Sequence, residues 1–211
     1  LFDAAKLAPD FLPGHGHGDA LAFEWSVAGQ RVAIDPGVYE YNSGEMRDYS
    51  RSTKYHNTVT LNDEDQSEFW KSFRVGRRAH IVDCQMTKTE NGINVTATHD
   101  GYTRLKGAPL HRRTFKMLPN KLEIQDFIES GNGQRATARI MLAPAVKVQM
   151  IGSNCLLTGE NYKISIDSEC QIRVEEAWCF LDFGNRFKTK QLVIDFGFAP
   201  CSNKLTLIVL D

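Results

Sequence analysis

Apolar and polar residues alternate along most of this chain. In "ALAFEWSVAG" (20–29), Leu21, Phe23, Trp25 and Val27 fall on every second position, the period of a strand with one buried face, and the run stops at Gly29-Gln30. "RVAID" (31–35) follows at once, so the two segments read as a hairpin. Short runs of the same kind recur as "HNTVTLN", "GRRAHIVDCQMTKT", "INVTATHD", "LHRRTFKML", "KLEIQDFIES", "ARIMLAPAVKVQMI", "NCLLTG", "NYKISID", "CQIRVEEAW", "QLVIDFGF" and "LTLIVLD". Turn residues separate them, among them Asn91-Gly92, Pro119-Asn120, the Ser130–Gly133 cluster and Gly159-Glu160-Asn161. Helical periodicity is nearly absent. The pattern predicts an all-β fold, a large antiparallel β-sandwich of about a dozen strands forming one domain over residues 1–211. One stretch departs from it. "YEYNSGEMRDYSRSTKY" (39–55) is polar and aromatic with no strand signal, and reads as a long ordered loop of the kind that carries function.

Composition narrows the possibilities. A net charge of −1 offers no basic field for nucleic acid and no acidic field for a cationic partner. No apolar run is long enough for a membrane-spanning helix. The chain starts at Leu1 with no charged-then-apolar leader, so it reads as a piece of a longer protein. Cys84, Cys155, Cys170, Cys179 and Cys201 show no CxxC spacing, which argues against a cysteine zinc site or a redox dithiol. They are expected as buried free thiols, which leans towards a reducing compartment. The methionines, too, read as core.

The candidate chemistry lies with the histidines. In "GHGHGD" (14–19), His15 and His17 straddle one glycine, and extended backbone would aim both rings the same way. Asp35 ends the hairpin at "AIDPG" and His56 opens the next strand at "YHNTV". Three strand ends bearing His or Asp can meet at one sheet edge, and two imidazoles with a carboxylate form a zinc shell with an open position. The plainer reading is a glycine-rich surface turn beside a Pro-Gly turn. His80 and His111 read as sheet-face residues beside arginines, and His99 in "HDGY" as part of a turn.

The order of these motifs is more specific than any of them alone. "GHGHGDALAFEWSVAGQRVAIDPGVYEY" followed by "RDYSRSTKYHNTVTLNDEDQSEFWKSFRVGRRA" resembles the heparinase II/III-like polysaccharide lyases, with weaker similarity through "HDGYTRLKGAPLHRRTF" to "WCFLDFGNR". The resemblance implies the C-terminal β-sandwich of a protein whose N-terminal α/α toroid is absent here. It implies β-elimination on acidic, uronate-containing polysaccharide, a reaction needing a neutralised carboxylate, a base for the C5 proton and an acid for the departing O4. By position it makes His15 the catalytic histidine facing substrate. It makes His17, Asp35 and His56 the holders of a structural zinc ion. Arg47, Arg51 and Asn57 are implied as substrate contacts, with loop stabilisation as their alternative role. With the toroid absent, the family's catalytic tyrosine is not assigned here, and none of Tyr39, Tyr41, Tyr49 and Tyr55, which lie near the site, is singled out as the base. "ARIMLAPAVKV" also lacks a histidine that the family often carries there.

Two further readings stand beside the lyase. One is a non-catalytic module for carbohydrate binding or exopolysaccharide assembly that keeps the metal site. The other, weaker, is a metal-dependent hydrolase. The expected partners are the acidic polysaccharide and the protein's own toroid. The expected setting is a bacterial periplasm or the exterior, with the cytoplasm as the alternative.

Overall fold

The computed structural model describes residues 1–210, and the final residue of the "LTLIVLD" run, Asp211, lies outside the described residues. Each alternating run becomes a strand. In chain order these are β1 (Trp25–Val27), β2 (Gln30–Ala33), β3 (Val59–Leu61), β4 (Phe69–Trp70), β5 (Arg74–Val75), β6 (Ile81–Thr89), β7 (Gly92–His99) and β8 (Leu110–Leu118). There follow β9 (Lys121–Glu129), β10 (Arg135–Met141), β11 (Lys147–Ile151), β12 (Asn154–Thr158), β13 (Lys163–Ser168), β14 (Ile172–Asp182), β15 (Asn185–Phe198) and β16 (Cys201–Leu210). The expected strand over "ARIMLAPAVKVQMI" is two strands, β10 and β11, broken around Pro144.

An eight-stranded sheet of order β11-β12-β13-β16-β9-β8-β7-β6 faces a four-stranded sheet of order β14-β15-β10-β3. Leu122, Ile124 and Leu207 from the first meet Leu61, Ile140 and Leu192 from the second in one apolar core. The wide sheet overhangs the narrow one at both edges. Edge strands β6 and β11 are therefore largely exposed, and so are Cys84, Met86 and Met150, which corrects their expected place in the core. All five cysteines are free thiols. Among the described residues, no helix is long and apolar enough to cross a membrane.

The loop expected over 39–55 contains a helix, α1 (Glu45–Arg51), followed by a 3-10 turn at Thr53–Tyr55. Two turns of helix are too short to display a 3.6-residue period. The face that α1 buries is polar (Arg47, Ser50 and Arg51), so no apolar stripe announces it.

Polar residues also occupy the core row of the wide sheet. β8 turns His111, Arg113 and Phe115 inward, and β9 turns Leu122, Ile124, Asp126 and Ile128 inward. Arg113 and Asp126 are direct cross-strand partners. Arg113 Nε and Nη2 donate to the two carboxylate oxygens at 2.6 and 2.9 Å. Its Nη1 reaches on to Leu21 O at 2.9 Å and Asn57 O at 2.6 Å, tying this pair to the segment behind His56. His111 Nε2–H donates to Asp126 at 2.8 Å, and His99 Nε2–H donates to His111 Nδ1 at 3.1 Å. The Gly101 amide donates to His99 Nδ1, so both tautomers are fixed. His99 does serve its turn, but His99 and His111 are both fully buried, which corrects the sheet-face placement of His111.

Burial, reinforced by His111 and Arg113, drives His99 well below the usual imidazole range, and burial lowers His111 against the opposing pull of Asp126. Burial alone would raise Asp126, but the Arg113 charge and the bonds from His111 and Arg113 outweigh it and hold the carboxyl well below its usual range. Unfolding therefore takes up protons on the two histidines once the pH is below about 6.5, and on Asp126 at lower pH still. The contribution of this network to stability, read by denaturant titration, is expected to be greatest above about pH 6.5 and to fall on acidification. Arg113→Leu, which strands the buried carboxylate, is expected to cost about 3–5 kcal/mol in the same measurement.

Candidate functional site

The "GHGHGD" segment lies across α1. Pro13–His15 form a 3-10 turn, and the backbone then runs extended through Gly16. Arg47 and Arg51, one helical turn apart, reach up to carbonyls of this loop. Arg47 Nη2 donates to Gly14 O at 3.0 Å and its Nε to Ser72 O at 3.1 Å. Arg51 Nε donates to Gly16 O at 3.1 Å and its Nη1 to Lys71 O at 3.0 Å. The Gly18 amide closes the contact on Arg51 O at 2.8 Å. The glycines serve space here, for none of the three has left-handed backbone. A Cβ on Gly18 would stand 2.9 Å from the Thr53 backbone nitrogen and overlap its hydroxyl. The crowding comes from the protein's own Thr53, and at Gly16 from Leu7.

This seating separates the two histidines. His15 closes the 3-10 turn and is exposed, edge-on to Tyr41 at 5.1 Å and Phe73 at 5.7 Å. His17 is buried and turned to His56, with Nδ1 3.3 Å from His56 Nε2. The expectation that both rings point one way fails because the backbone at His15 is helical rather than extended.

His56 follows the Thr53–Tyr55 turn, and its Nδ1–H donates to Ser52 O at 2.8 Å. That bond fixes the tautomer and leaves the Nε2 lone pair facing His17 and Asp35. Asp35 accepts the Gly37 amide on Oδ1 at 2.8 Å and presents Oδ2 to His56 Nε2 at 3.5 Å. Asp65 fixes the base of the turn by accepting Ser52 Oγ and Thr53 N at 2.9 and 2.7 Å. Asn57, fully buried, donates to Phe23 O and Ile34 O and accepts the Met141 amide, at 2.7, 2.9 and 2.6 Å. It thereby locks the strand leading to Asp35 against the segment bearing His56.

His17, His56 and Asp35 thus come together, linked in a row through His56 Nε2. Ligand atoms about 3.3 Å apart match the edge of a tetrahedral zinc shell with bonds of about 2.0 Å. The two spacings fit it, and the Ser52 carbonyl supplies the outer partner that a metal-binding imidazole takes. Among the described residues, however, no group of three or more His, Cys, Asp or Glu side chains is arranged to hold a metal ion. Burial, reinforced by His56, Arg47 and Arg51, pushes His17 down to about 2, so its ring is neutral and its nitrogens can act as ligands.

Arg47, Arg51 and Asn57 are all buried, and their named bonds go to backbone groups. As they stand they hold the loop, and a sugar carboxylate would meet them only if the loop opened. Two acids outside the expected set border the site. Asp3 and Asp19, with Asp35 and Asn57, line a cavity of about 530 Å³. Burial raises both carboxyls, Asp19 to about 7, with Asp35 adding to each shift. Asp19 closes the quoted "GHGHGD", but nothing in its spacing singled it out. Of the four tyrosines, Tyr49 donates its hydroxyl to Trp178 O at 3.0 Å and accepts Trp178 N at 2.8 Å. Burial raises the phenols of Tyr49 and Tyr55 above their usual range, so neither is poised to act as a base.

Comparison with known proteins places this arrangement in a family. The profile described as Heparinase II/III-like, C-terminal, matches residues 1–199. Among solved structures, the heparan sulfate lyase HepC from Pedobacter heparinus superimposes with a TM-score of 0.80 at 16% identity, covering 100% of this chain and 32% of that one. A heparinase III, the BT4657 gene product, superimposes with a TM-score of 0.75 at 17% identity, covering 93% of this chain and 31% of that one. A third structure, also a heparinase III, gives a TM-score of 0.73 at 16% identity. The chain spans about a third of the length of these proteins. A search of curated proteins found no match.

The packing of the loop can be tested apart from any chemistry. Gly18→Ala forces a side chain against the Thr53 backbone and is expected to cost about 1–3 kcal/mol in a denaturant melt. His15→Ala, at an exposed position, is expected to stay within about 0.5 kcal/mol of the parent.

Proposed function

The chain belongs to the Heparinase II/III-like C-terminal family, and from that premise we propose that it is the sandwich part of a polysaccharide lyase cleaving uronate-containing glycans by β-elimination. The observation that carries the reading is the division of labour within "GHGHGD". His15 stands exposed while His17, two residues away, is packed against His56 and Asp35. A lyase of this kind abstracts the C5 proton, stabilises the resulting enolate-like charge and protonates the leaving O4. His15 is the group in this chain placed to exchange a proton with a bound sugar. His17, His56 and Asp35 would hold zinc, which when bound supplies a fixed positive charge that pins the loop. The aromatic and acid–base groups missing here come, on this reading, from an N-terminal toroid of the same protein, with the glycan bound between the two. A polymer of this type places the protein in the periplasm or outside the cell.

One observation favours a second reading, a glycan-binding module without catalysis. Tyr49 and Tyr55 are engaged or packed away, so neither is presented to a sugar as a proton-transfer partner for His15.

Metal analysis and a lyase assay on the full-length protein separate the two. Purified without chelator, it is expected to carry about one zinc ion per chain, lost in His17→Ala and His56→Ala and kept in His15→Ala. His15→Ala is expected to lower the formation of unsaturated uronate, read by its ultraviolet absorbance, by about 100-fold or more. A protein without divalent metal contradicts the zinc assignment. Glycan binding with no unsaturated product from any acidic polymer selects the module.

A further inference from the structure

Two exposed rings, Tyr41 and Phe73, adjoin His15, and a third, Phe183, packs against Tyr41. Tyr41 stacks on Phe73 with centroids 6.0 Å apart and planes 27° apart, and packs against Phe183 at 5.4 Å and 38°. Their exposures are 39%, 49% and 62%, high for aromatic side chains that touch one another. They come from three distant parts of the chain: the approach to α1, the β4–β5 turn and the tip of the β14–β15 hairpin. Each part is fixed from behind. The Gly184 amide donates to Tyr39 O at 2.9 Å, and Phe180 N to Pro36 O at 2.6 Å. Ser43 and Ser72 join their hydroxyls at 2.7 Å, and Gly14 leaves room for Phe73, where a Cβ would stand 3.1 Å away.

A charge lies against two of these rings, Tyr41 and Phe73. The Arg47 guanidinium, without solvent exposure, sits 5.2 Å from the Tyr41 ring centre and 5.9 Å from that of Phe73. An aromatic face is negative and attracts the weakly positive C–H face of a pyranose, but it repels an anionic substituent. A cation on the buried side draws against the ring quadrupole and weakens that repulsion on the open side. The result is a surface suited to a sugar ring that carries a carboxylate or sulfate.

We propose that Tyr41, Phe73 and Phe183 form a stacking platform for one pyranose ring of an acidic glycan, next to the sugar that faces His15. The inference rests on the glycan reading above and deepens it, because it assigns recognition to residues that take no part in proton transfer.

The test uses the full-length protein with heparan sulfate, chondroitin sulfate and alginate as probes, with binding read by affinity electrophoresis and zinc content and melting temperature measured alongside. Phe73→Ala and Phe183→Ala are each expected to weaken binding of the preferred polymer by about 3- to 10-fold. Zinc content stays unchanged. Phe183→Trp restores binding and Phe183→Leu does not, since stacking needs a ring. In a lyase assay Phe183→Ala, remote from His15, raises KM while kcat stays near the parent value. A folded Phe73→Ala/Phe183→Ala double variant that binds as tightly as the parent overturns the platform. So does rescue by Leu as good as that by Trp, which marks an apolar docking face for protein. If the parent binds none of the three polymers, the platform and the glycan reading fall together. Binding that depends on the rings, with no unsaturated product, rejects the lyase and keeps the platform. Unsaturated product with ring-independent binding does the reverse.

Discussion

The buried pair between Arg113 and Asp126 is the constraint on which the site geometry depends. A lone carboxylate in the core of a sandwich would be costly, and the fold tolerates this one because Arg113 grips both oxygens while His111 donates to one of them. The guanidinium has a donor left over, and it spends that donor on the carbonyls of Leu21 and Asn57. Asn57 in turn spans to Phe23, Ile34 and Met141. A chain of satisfied polar groups thus runs from the wide sheet to the residues on either side of Asp35 and His56. Apolar residues could fill the same volume, but they would fix neither register nor direction so tightly.

A second framework, independent of the first, holds the histidine loop. Arg47 and Arg51 donate to the carbonyls of Gly14 and Gly16, so the loop is suspended from a two-turn helix by charge-assisted hydrogen bonds. Glycine lets the loop sit that close. The outcome is a backbone on which adjacent odd positions face opposite surroundings, His17 a neutral interior and His15 the solvent. In the proposed function this separation is the useful property, because a ligand for a metal needs a fixed neutral ring and a proton carrier needs access.

Much of this was legible in the sequence, and what was missed has physical causes. The strands announced themselves because one-sided burial imposes alternation, and the grouping of His17, Asp35 and His56 followed from motif order. Helix α1 was invisible because its buried face is made of arginines and serine. His111 was misplaced because its neighbours on the chain are arginines. Its true neighbours lie across the register, where Asp126 interrupts the apolar row Leu122, Ile124, Ile128. That interruption was the available signal, an acid at an inward position calling for a cation opposite. Methionines at the overhanging sheet edges were misjudged for a related reason, since the two sheets differ in width and no local pattern records it. The aromatic surface beside His15 was also out of reach, since Phe183 lies more than a hundred residues along the chain from Tyr41 and Phe73.

The central claim is that one short loop holds a metal with His17 and offers His15 to a sugar. Anomalous diffraction at the zinc edge, from crystals of the full-length protein soaked with an acidic oligosaccharide, tests it most directly. The account predicts a single peak about 2.0–2.2 Å from His17 Nδ1, His56 Nε2 and an Asp35 oxygen, with His15 turned to the sugar and away from the ion. A peak bound by His15, or no peak between His17 and His56, would contradict it.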